Sequence, residues 1–367
     1  MSSSDSTDVV VVGDGIVGLA CARSLAALGA SVVLLGRRRP GFASAAAAGL
    51  LAPTIESAPG PAFAFAVAAR DRYRGYLDEL ESSSGIHVPM DLDGILRVPA
   101  HDAEVDSLKA EAGTHARWIS SKEVGALEPA LAASLGALLH AQDGMVDNIR
   151  LLSALEAAID AAGVTRQTAD ADRLDFSGTN PVVELSNGDR LRCGHVVLAA
   201  GAWVGQLKGL PRPIPVAPLR GQMLALAVAP VRRPVYGFGG YLAPRHRDGF
   251  TVVGSTSESV GYAVGTTDAA LRDFREVAAS LAPRLARADE LRSWSGLRPM
   301  TTDGLPILDR DPDQQALIYA CGHSRNGILM APLTADVVAT LIAGREPSLS
   351  LAPFRISRFP PGELAIS

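Results

Sequence analysis

Three glycines, Gly13, Gly15 and Gly18, stand at i, i+2 and i+5 within VVVVGDGIVGLACARSLAALG, residues 9–29. The chemistry this spacing serves is the holding of a phosphate. Gly13 permits a tight turn, Gly15 lets the backbone approach a pyrophosphate, and Gly18 lets a helix lie close against a strand. A helix starting at that turn adds unpaired N–H groups and positive potential.

A run of arginines, Arg37, Arg38 and Arg39, follows at the place where such a unit handles the far end of its ligand. An acidic residue about 20 positions on, at the end of the second strand, ordinarily takes the ribose hydroxyls. Gly36 stands there instead. Two readings follow: Arg37 and Arg38 accept a 2′-phosphate, which points to NADP, or backbone groups and water hold the ribose in a site built for FAD.

Other reactive side chains are scattered. Cys21, Cys193 and Cys321 lie far apart without a CxxC, and the histidines two residues after Cys193 and Cys321 have no further ligands nearby. Reduced, buried thiols and no metal are expected.

The glycines need elements to position them. Val9 to Val12 is a continuous apolar run of the kind a strand buried on both faces shows. From Ile16 the pattern turns helical, with Leu19, Ala22, Leu25 and Ala26 on one face and Gly29 as the stop. Ser31 to Gly36 gives a second strand, and the three pieces together make a dinucleotide-binding unit.

Similar patterns recur twice. DRLRCGHVVLAAGAWVGQL carries a strand at Val196 to Ala199 that closes on Ala200, Gly201 and Ala202 before Trp203, small residues suited to the mouth of a cofactor site. LIYACGHSRNGILMAPLTADVVATLIAG gives a strand at Leu317 to Ala320, a polar loop, then a helix with Leu333, Val337, Val338 and Leu341 together and Gly344 at its end.

The intervening segments differ in character. Phe63 to Leu80 reads as an amphipathic helix, Ile214 to Ala229 as extended strand, and GYLAPRHRDGFTVVGST as a hairpin turning at Asp248 and Gly249. Asp268 to Leu281 is a further helix with Leu271, Phe274, Val277, Ala278 and Leu281 inward. These segments are expected to form a second, sheet-containing domain inserted twice into the first.

Composition narrows the function classes. With 34 Lys+Arg against 39 Asp+Glu, a net charge of −5 and no basic run beyond residues 37–39, an electrostatic case for nucleic acid is missing. No apolar run approaches the ~18 residues of a membrane helix. The start, MSSSDSTD, is polar and acidic and reads as a frayed tail, so a cytoplasmic location is expected.

The ordered motifs resemble the D-amino-acid oxidase superfamily of FAD-dependent amine oxidases, and within it the glycine oxidases of thiamine biosynthesis. The stretches that carry the resemblance are VVGDGIVGLACARSLAALGASVVLL, SAAAAGLLAP, GHVVLAAGAW, LRGQMLAL, GYLAPR with VVGST, SGLRPMTTDGLPILD and GHSRNGILMAP, running from residue 9 to about 345. The resemblance favours FAD over NADP. It implies an α/β fold: a Rossmann-like FAD-binding domain of residues 1–60, 141–207 and 294–347, with an inserted, mainly antiparallel-sheet substrate domain of 61–140 and 208–293. Residues 348–367 are left as a C-terminal tail.

By this resemblance Gly13, Gly15, Ile16, Val17 and Gly18 lie at the pyrophosphate, with Arg37 and Arg38 at the adenosine end. Ser44, Ala45, Ala46, Gly49 and Leu50 lie along the flavin, Gly201 and Trp203 near the re-entering strand, and His323, Arg325, Asn326, Gly327, Ile328 and Leu329 around the pyrimidine end of its ring. Arg298 matches the arginine that clamps the substrate carboxylate, Tyr241 the tyrosine that assists it, and Arg325 adds positive charge on the flavin side. The implied reaction is oxidation of glycine or a similar small amino acid by oxygen to imine or glyoxylate, ammonia and peroxide, supplying thiazole formation.

Departures from the family pattern are specific. Gly36 replaces the ribose acid, Gly239 stands where one branch has a histidine and Ser257 where it has a methionine, which implies a roomier pocket. Asn148 stands where proline is common, after the retained Asp147. No cysteine lies between the arginine motif and the last strand, where the sarcosine oxidase branch tethers its flavin, so noncovalent FAD is expected. The family also implies a homo-oligomer, such as a tetramer. The alternatives are a sarcosine or D-amino-acid oxidase, a dehydrogenase of amino or 2-hydroxy acids with a quinone acceptor, and an inert, flavin-free paralogue.

Overall fold

A parallel sheet forms because its strands are apolar on both faces: Val9, Val10 and Val11 are wholly buried, and Val32, Leu34 and Leu35 nearly so. The computed structural model describes residues 6–56 and 60–360. Residues 1–5 of the expected N-terminal tail and 361–367 of the expected C-terminal tail lie outside the described residues. The strands run in the order Thr165–Gln167, Val32–Leu35, Thr7–Val12, Arg190–Leu198 and Leu317–Cys321, all parallel, with Ile307–Arg310 antiparallel at the end. The early part of Arg190–Leu198 leaves this sheet to pair antiparallel with Val182–Leu185.

Helices Ile16–Ala27, Asn148–Ala161 and Gly327–Ile342 share one core with these strands. Every residue from Ile16 to Ala22 is buried, because the first helix is sandwiched between the sheet and other helices. Asp147 caps Asn148–Ala161, accepting from Ile149 N at 3.1 Å and Arg150 N at 2.9 Å.

The helix expected over 63–80 spans Pro61–Ser84, and its partners differ from the expectation. Phe65, Ala69, Tyr73 and Leu80 enter the core of the parallel sheet, packed on Gly327–Ile342 and Asn148–Ala161. One contact gives the physical reason. Pro332 lies inside Gly327–Ile342 and cannot donate to the carbonyl four residues back. The Tyr73 hydroxyl donates to that Ile328 carbonyl at 2.5 Å. Tyr73→Phe leaves the carbonyl buried and unsatisfied, and is expected to lower stability by about 1–3 kcal/mol. Chemical denaturation checks this; an unchanged midpoint contradicts it.

The second sheet runs Glu290–Thr301, Val216–Leu226, Phe250–Gly254, Gly240–Arg245, Val235–Gly237, Ile95–Arg97, Ala137–His140 and Arg117–Ile119. Its pairs are antiparallel except Val235–Gly237 with Ile95–Arg97. Helix Asp268–Leu281 covers it, burying Phe274, Ala278 and Leu281, while Leu271 and Val277 are only partly buried. Thr267 caps that helix at Ala270 N.

Two segments depart from the expected boundaries. Residues 294–301 belong to the second sheet, because Glu290–Thr301 pairs along its length with Val216–Leu226. Residues 348–358 are not a loose tail: Phe354 is fully buried edge-on to Phe65, with ring centroids 4.9 Å apart, and Ile356 enters the neighbouring core. Two isolated apolar side chains on short 3-10 turns show no periodicity in sequence.

Candidate active site

A cavity of about 820 Å³ runs from the glycine turn of the first sheet to the face of the second. Gly13, Gly15, Ile16, Val17, Arg37, Ser44, Ala46, Gly49, Leu50, Gly201 and Trp203 line it, as do His323, Arg325, Asn326, Gly327 and Ile328, and at the far end Tyr241 and Arg298. Four expected residues do not. Gly18 acts by packing, since an added Cβ would lie 1.8 Å from the Gly13 carbonyl oxygen. Arg38 is turned away to pair with Glu156 and lies over the Phe42 ring. Ala45 is on the exposed side of the Ala43–Ala46 turn. Leu329 points into the hydrophobic core.

The arginine run is occupied by carboxylates. Arg39 pairs with Asp170 at 2.9 Å, Arg37 approaches the same residue at 3.8 Å, and Arg38 holds Glu156. Paired cations of this kind are poor receptors for a 2′-phosphate, which removes the support for NADP.

The turn over residues 43–46 is held by contacts invisible in the motifs. Ser44 Oγ accepts from Ile16 N at 3.0 Å, and Asn148 Nδ2 donates to the Ser44 carbonyl at 2.8 Å. Arg245 Nη2 in turn donates to Asn148 Oδ1 at 2.7 Å and to the Ala48 carbonyl at 2.8 Å. Asn148 thus ties the cavity wall to the second sheet, a role proline lacks the donor to fill.

At the far end Arg298 projects from Glu290–Thr301. Its Nη1 donates to the Thr256 carbonyl at 3.0 Å and its Nη2 to Ser255 Oγ at 2.7 Å. Both partners are neutral, and burial lowers the guanidinium pKa from its ordinary value. A partly desolvated cation without a carboxylate partner is a receptor for an anion. Tyr241, from Gly240–Arg245, stands beside it, its phenol pushed up to about 12 by burial, with Arg298 acting in the opposite direction. It remains a donor throughout the working range.

The guanidinium of Arg298 lies over Gly221, where an added Cβ would fall 2.4 Å from both terminal nitrogens. Gly221→Ala is therefore expected to displace the arginine and raise KM for a carboxylate substrate about tenfold, with cofactor binding unchanged. Steady-state kinetics beside a cofactor titration checks this; wild-type KM contradicts it.

Glu56, not singled out in the motifs, closes the other side. It accepts from the Tyr236 hydroxyl at 2.8 Å and lies 3.6 Å from Arg325. Tyr236 faces Tyr241 across the hairpin, centroids 5.4 Å apart. No local spacing signals Glu56, because its partners are some 180 and more residues away in sequence.

His323 is buried, its Nε2 3.0 Å from Thr334 Oγ1, and burial pushes its pKa down to about 4. His140 is also pushed down to about 4, first by burial and then by Arg97. Both are neutral in folded and unfolded chain above about pH 6.5, where their stabilisation is fully present. As pH falls from about 6.5 to 4 the unfolded chain takes up protons first, and each site loses up to about 3 kcal/mol. The urea midpoint is expected to fall across that window, less steeply in His323→Asn; identical slopes contradict the assignment.

The cavity suits FAD on its own geometry. Helices Ile16–Ala27 and Gly327–Ile342 both begin at it, and neither start is capped by its own N-cap side chain. At Gly13, whose φ is +118°, an added Cβ would lie 2.2 Å from the Ala199 carbonyl oxygen. Only bare backbone fits there, and bare N–H groups at a helix start are what a pyrophosphate takes.

A parallel sheet that presents a glycine turn and two helix starts to one cavity defines a dinucleotide-binding protein. The chain belongs to the FAD dependent oxidoreductase family, which it matches over residues 8–341. It is 34% identical to the bifunctional protein ThiO/ThiG of Synechocystis sp. over 96% of this chain and 54% of that relative. The chain thus spans about half the length of the bifunctional relatives it matches. It is 34% identical to a glycine oxidase of Pseudomonas aeruginosa, over 95% of this chain and 98% of the relative. The crystal structure of glycine oxidase from Geobacillus kaustophilus superimposes with a TM-score of 0.91 at 28% identity, covering 97% of this chain and 99% of that one.

Proposed function

We propose that this chain oxidises glycine, with FAD as cofactor and oxygen as acceptor, to the imine and thence glyoxylate and ammonia, with release of hydrogen peroxide. The observation that carries it is Arg298: a half-buried guanidinium whose hydrogen-bond partners are neutral, at the end of the cavity. Relatives named glycine oxidase, similar over nearly the whole chain, support the substrate. The ThiO/ThiG relatives support a supply of imine to thiazole formation in thiamine biosynthesis.

FAD held at the Gly13 and Gly15 turn and at the start of Gly327–Ile342 would supply a hydride acceptor for the α C–H bond of the substrate, with oxygen as the final electron acceptor. The chain supplies orientation. Arg298 takes the carboxylate through its two terminal nitrogens and Tyr241 donates a further hydrogen bond, which fixes the direction of the α C–H bond. The start of Gly327–Ile342, with Arg325 beside it and 3.6 Å from Glu56, would supply positive potential to the end of the cofactor on which negative charge develops. A substrate amine in its neutral form needs no side-chain base.

The cofactor is proposed to be noncovalent. Cys321 lines the cavity, but burial pushes its thiol up to about 12, which keeps it protonated and a poor nucleophile. Among the described residues no helix is long and apolar enough to cross a membrane.

A second substrate reading rests on Gly239. It lines the cavity at φ +77° and an added Cβ there meets nothing within 4 Å, space that an N-substituted or larger amino acid can use. Peroxide release in air, with glyoxylate formed from glycine or sarcosine and pyruvate from D-alanine, tests both readings. Turnover of glycine supports the first; turnover of sarcosine or D-alanine alone replaces it with the second. No peroxide from any of them overturns the oxidase.

A further inference from the structure

We infer that Asp14 has taken over the ribose-binding role of the acid missing at position 36, and receives the 2′- and 3′-hydroxyls of the cofactor's adenosine. This rests on FAD being the ligand of the cavity. Gly36 directly follows the second strand, Val32–Leu35, and lines the cavity, where a dinucleotide unit ordinarily presents an acidic side chain. An added Cβ at Gly36 would lie 2.3 Å from Cγ of Asp14, 2.4 Å from its Cβ and 2.5 Å from its Oδ1. The Asp14 side chain therefore fills the space in which a side chain at 36 would begin. One carboxylate stands at this corner, delivered from the glycine turn instead of the strand end.

The oxygens of Asp14 are available. Among the described residues it takes no hydrogen bond, and the one cation within 4.0 Å is Arg38, at that distance and committed to Glu156. The neighbouring carboxylate, Asp170, is by contrast engaged by Arg37 and Arg39. Asp14 also lines the cavity and keeps its side chain 21% exposed.

Electrostatics requires a use for this group. A carboxylate between the two glycines that approach a pyrophosphate repels it, and weakens binding unless its oxygens turn to donors. A vicinal diol offers two donors at carboxylate spacing. The same placement disfavours a 2′-phosphate, in accord with the arginine run being occupied.

The test uses apoprotein and two probes that lack the flavin, ADP and 2′-deoxy-ADP, competing with FAD followed by flavin fluorescence. Wild-type apoprotein is expected to prefer ADP by about tenfold, one charge-assisted hydrogen bond. Asp14→Ala is expected to abolish that preference and weaken FAD about tenfold to a hundredfold. In the Asp14→Ala background, Gly36→Glu restores part of both.

A preference for ADP that survives in Asp14→Ala overturns the assignment. So does an isosteric Asp14→Asn apoprotein that melts lower than wild type while keeping the preference, which makes Asp14 a structural residue. Wild-type apoprotein that binds no FAD overturns the cofactor reading itself, a result distinct from either.

Discussion

Arg298→Ala is expected to raise KM for glycine about a hundredfold while the protein still purifies with its flavin. A charge-assisted, two-point contact made in a dry site contributes roughly 3 kcal/mol, which is about that factor. Arg298 is partly desolvated: burial lowers its pKa, and its protein partners are one carbonyl and one hydroxyl. Arg298→Lys is expected to recover little, because an ammonium cannot present the planar fork. The folded state should tolerate the change, since neither partner becomes an unpaired charge. KM for glycine within a fewfold of wild type would remove Arg298 from the substrate site.

Gly18→Ala is expected to yield protein without flavin and with a lowered melting temperature. The added methyl would lie 1.8 Å from the Gly13 carbonyl oxygen, an obstruction made of backbone with no side chain to yield. Overpacking costs about 1–3 kcal/mol even where neighbours can rearrange. Here relief requires the helix Ile16–Ala27 to move off the turn, which opens the phosphate cradle. Visible absorbance and thermal melting together check this. A yellow Gly18→Ala protein with the wild-type melting temperature contradicts the packing argument.

The parts legible in sequence are those where one local rule suffices. Val9 to Val12 declares a strand buried on both faces, and Asp268–Leu281 declares a helix by its one-sided apolar pattern. The glycine turn and the helix at Gly327 were legible for the same reason. Pro61–Ser84 was legible as a helix but not in its packing, because an amphipathic stripe says which face is buried and not what buries it.

Within the site, sequence showed which groups carry charge and not which charges meet. The arginines at 37–39 by themselves leave two cofactors open, and the carboxylates that occupy them, Asp170 and Glu156, are distant in sequence. Glu56 and Arg245 were missed for that reason, and Asn148 carried no meaning until its two amide atoms were seen bridging Ser44 and Arg245. Gly36 read as a missing acid; only the volume beside it showed where a carboxylate had gone.

The measurement that tests the central claim most directly is the visible spectrum of the purified protein under anaerobic addition of glycine. The account predicts flavin bands that bleach with glycine and return, with peroxide, when air is admitted. Flavin bands that stay unbleached at saturating glycine would contradict glycine as substrate while leaving the fold and the cofactor site intact.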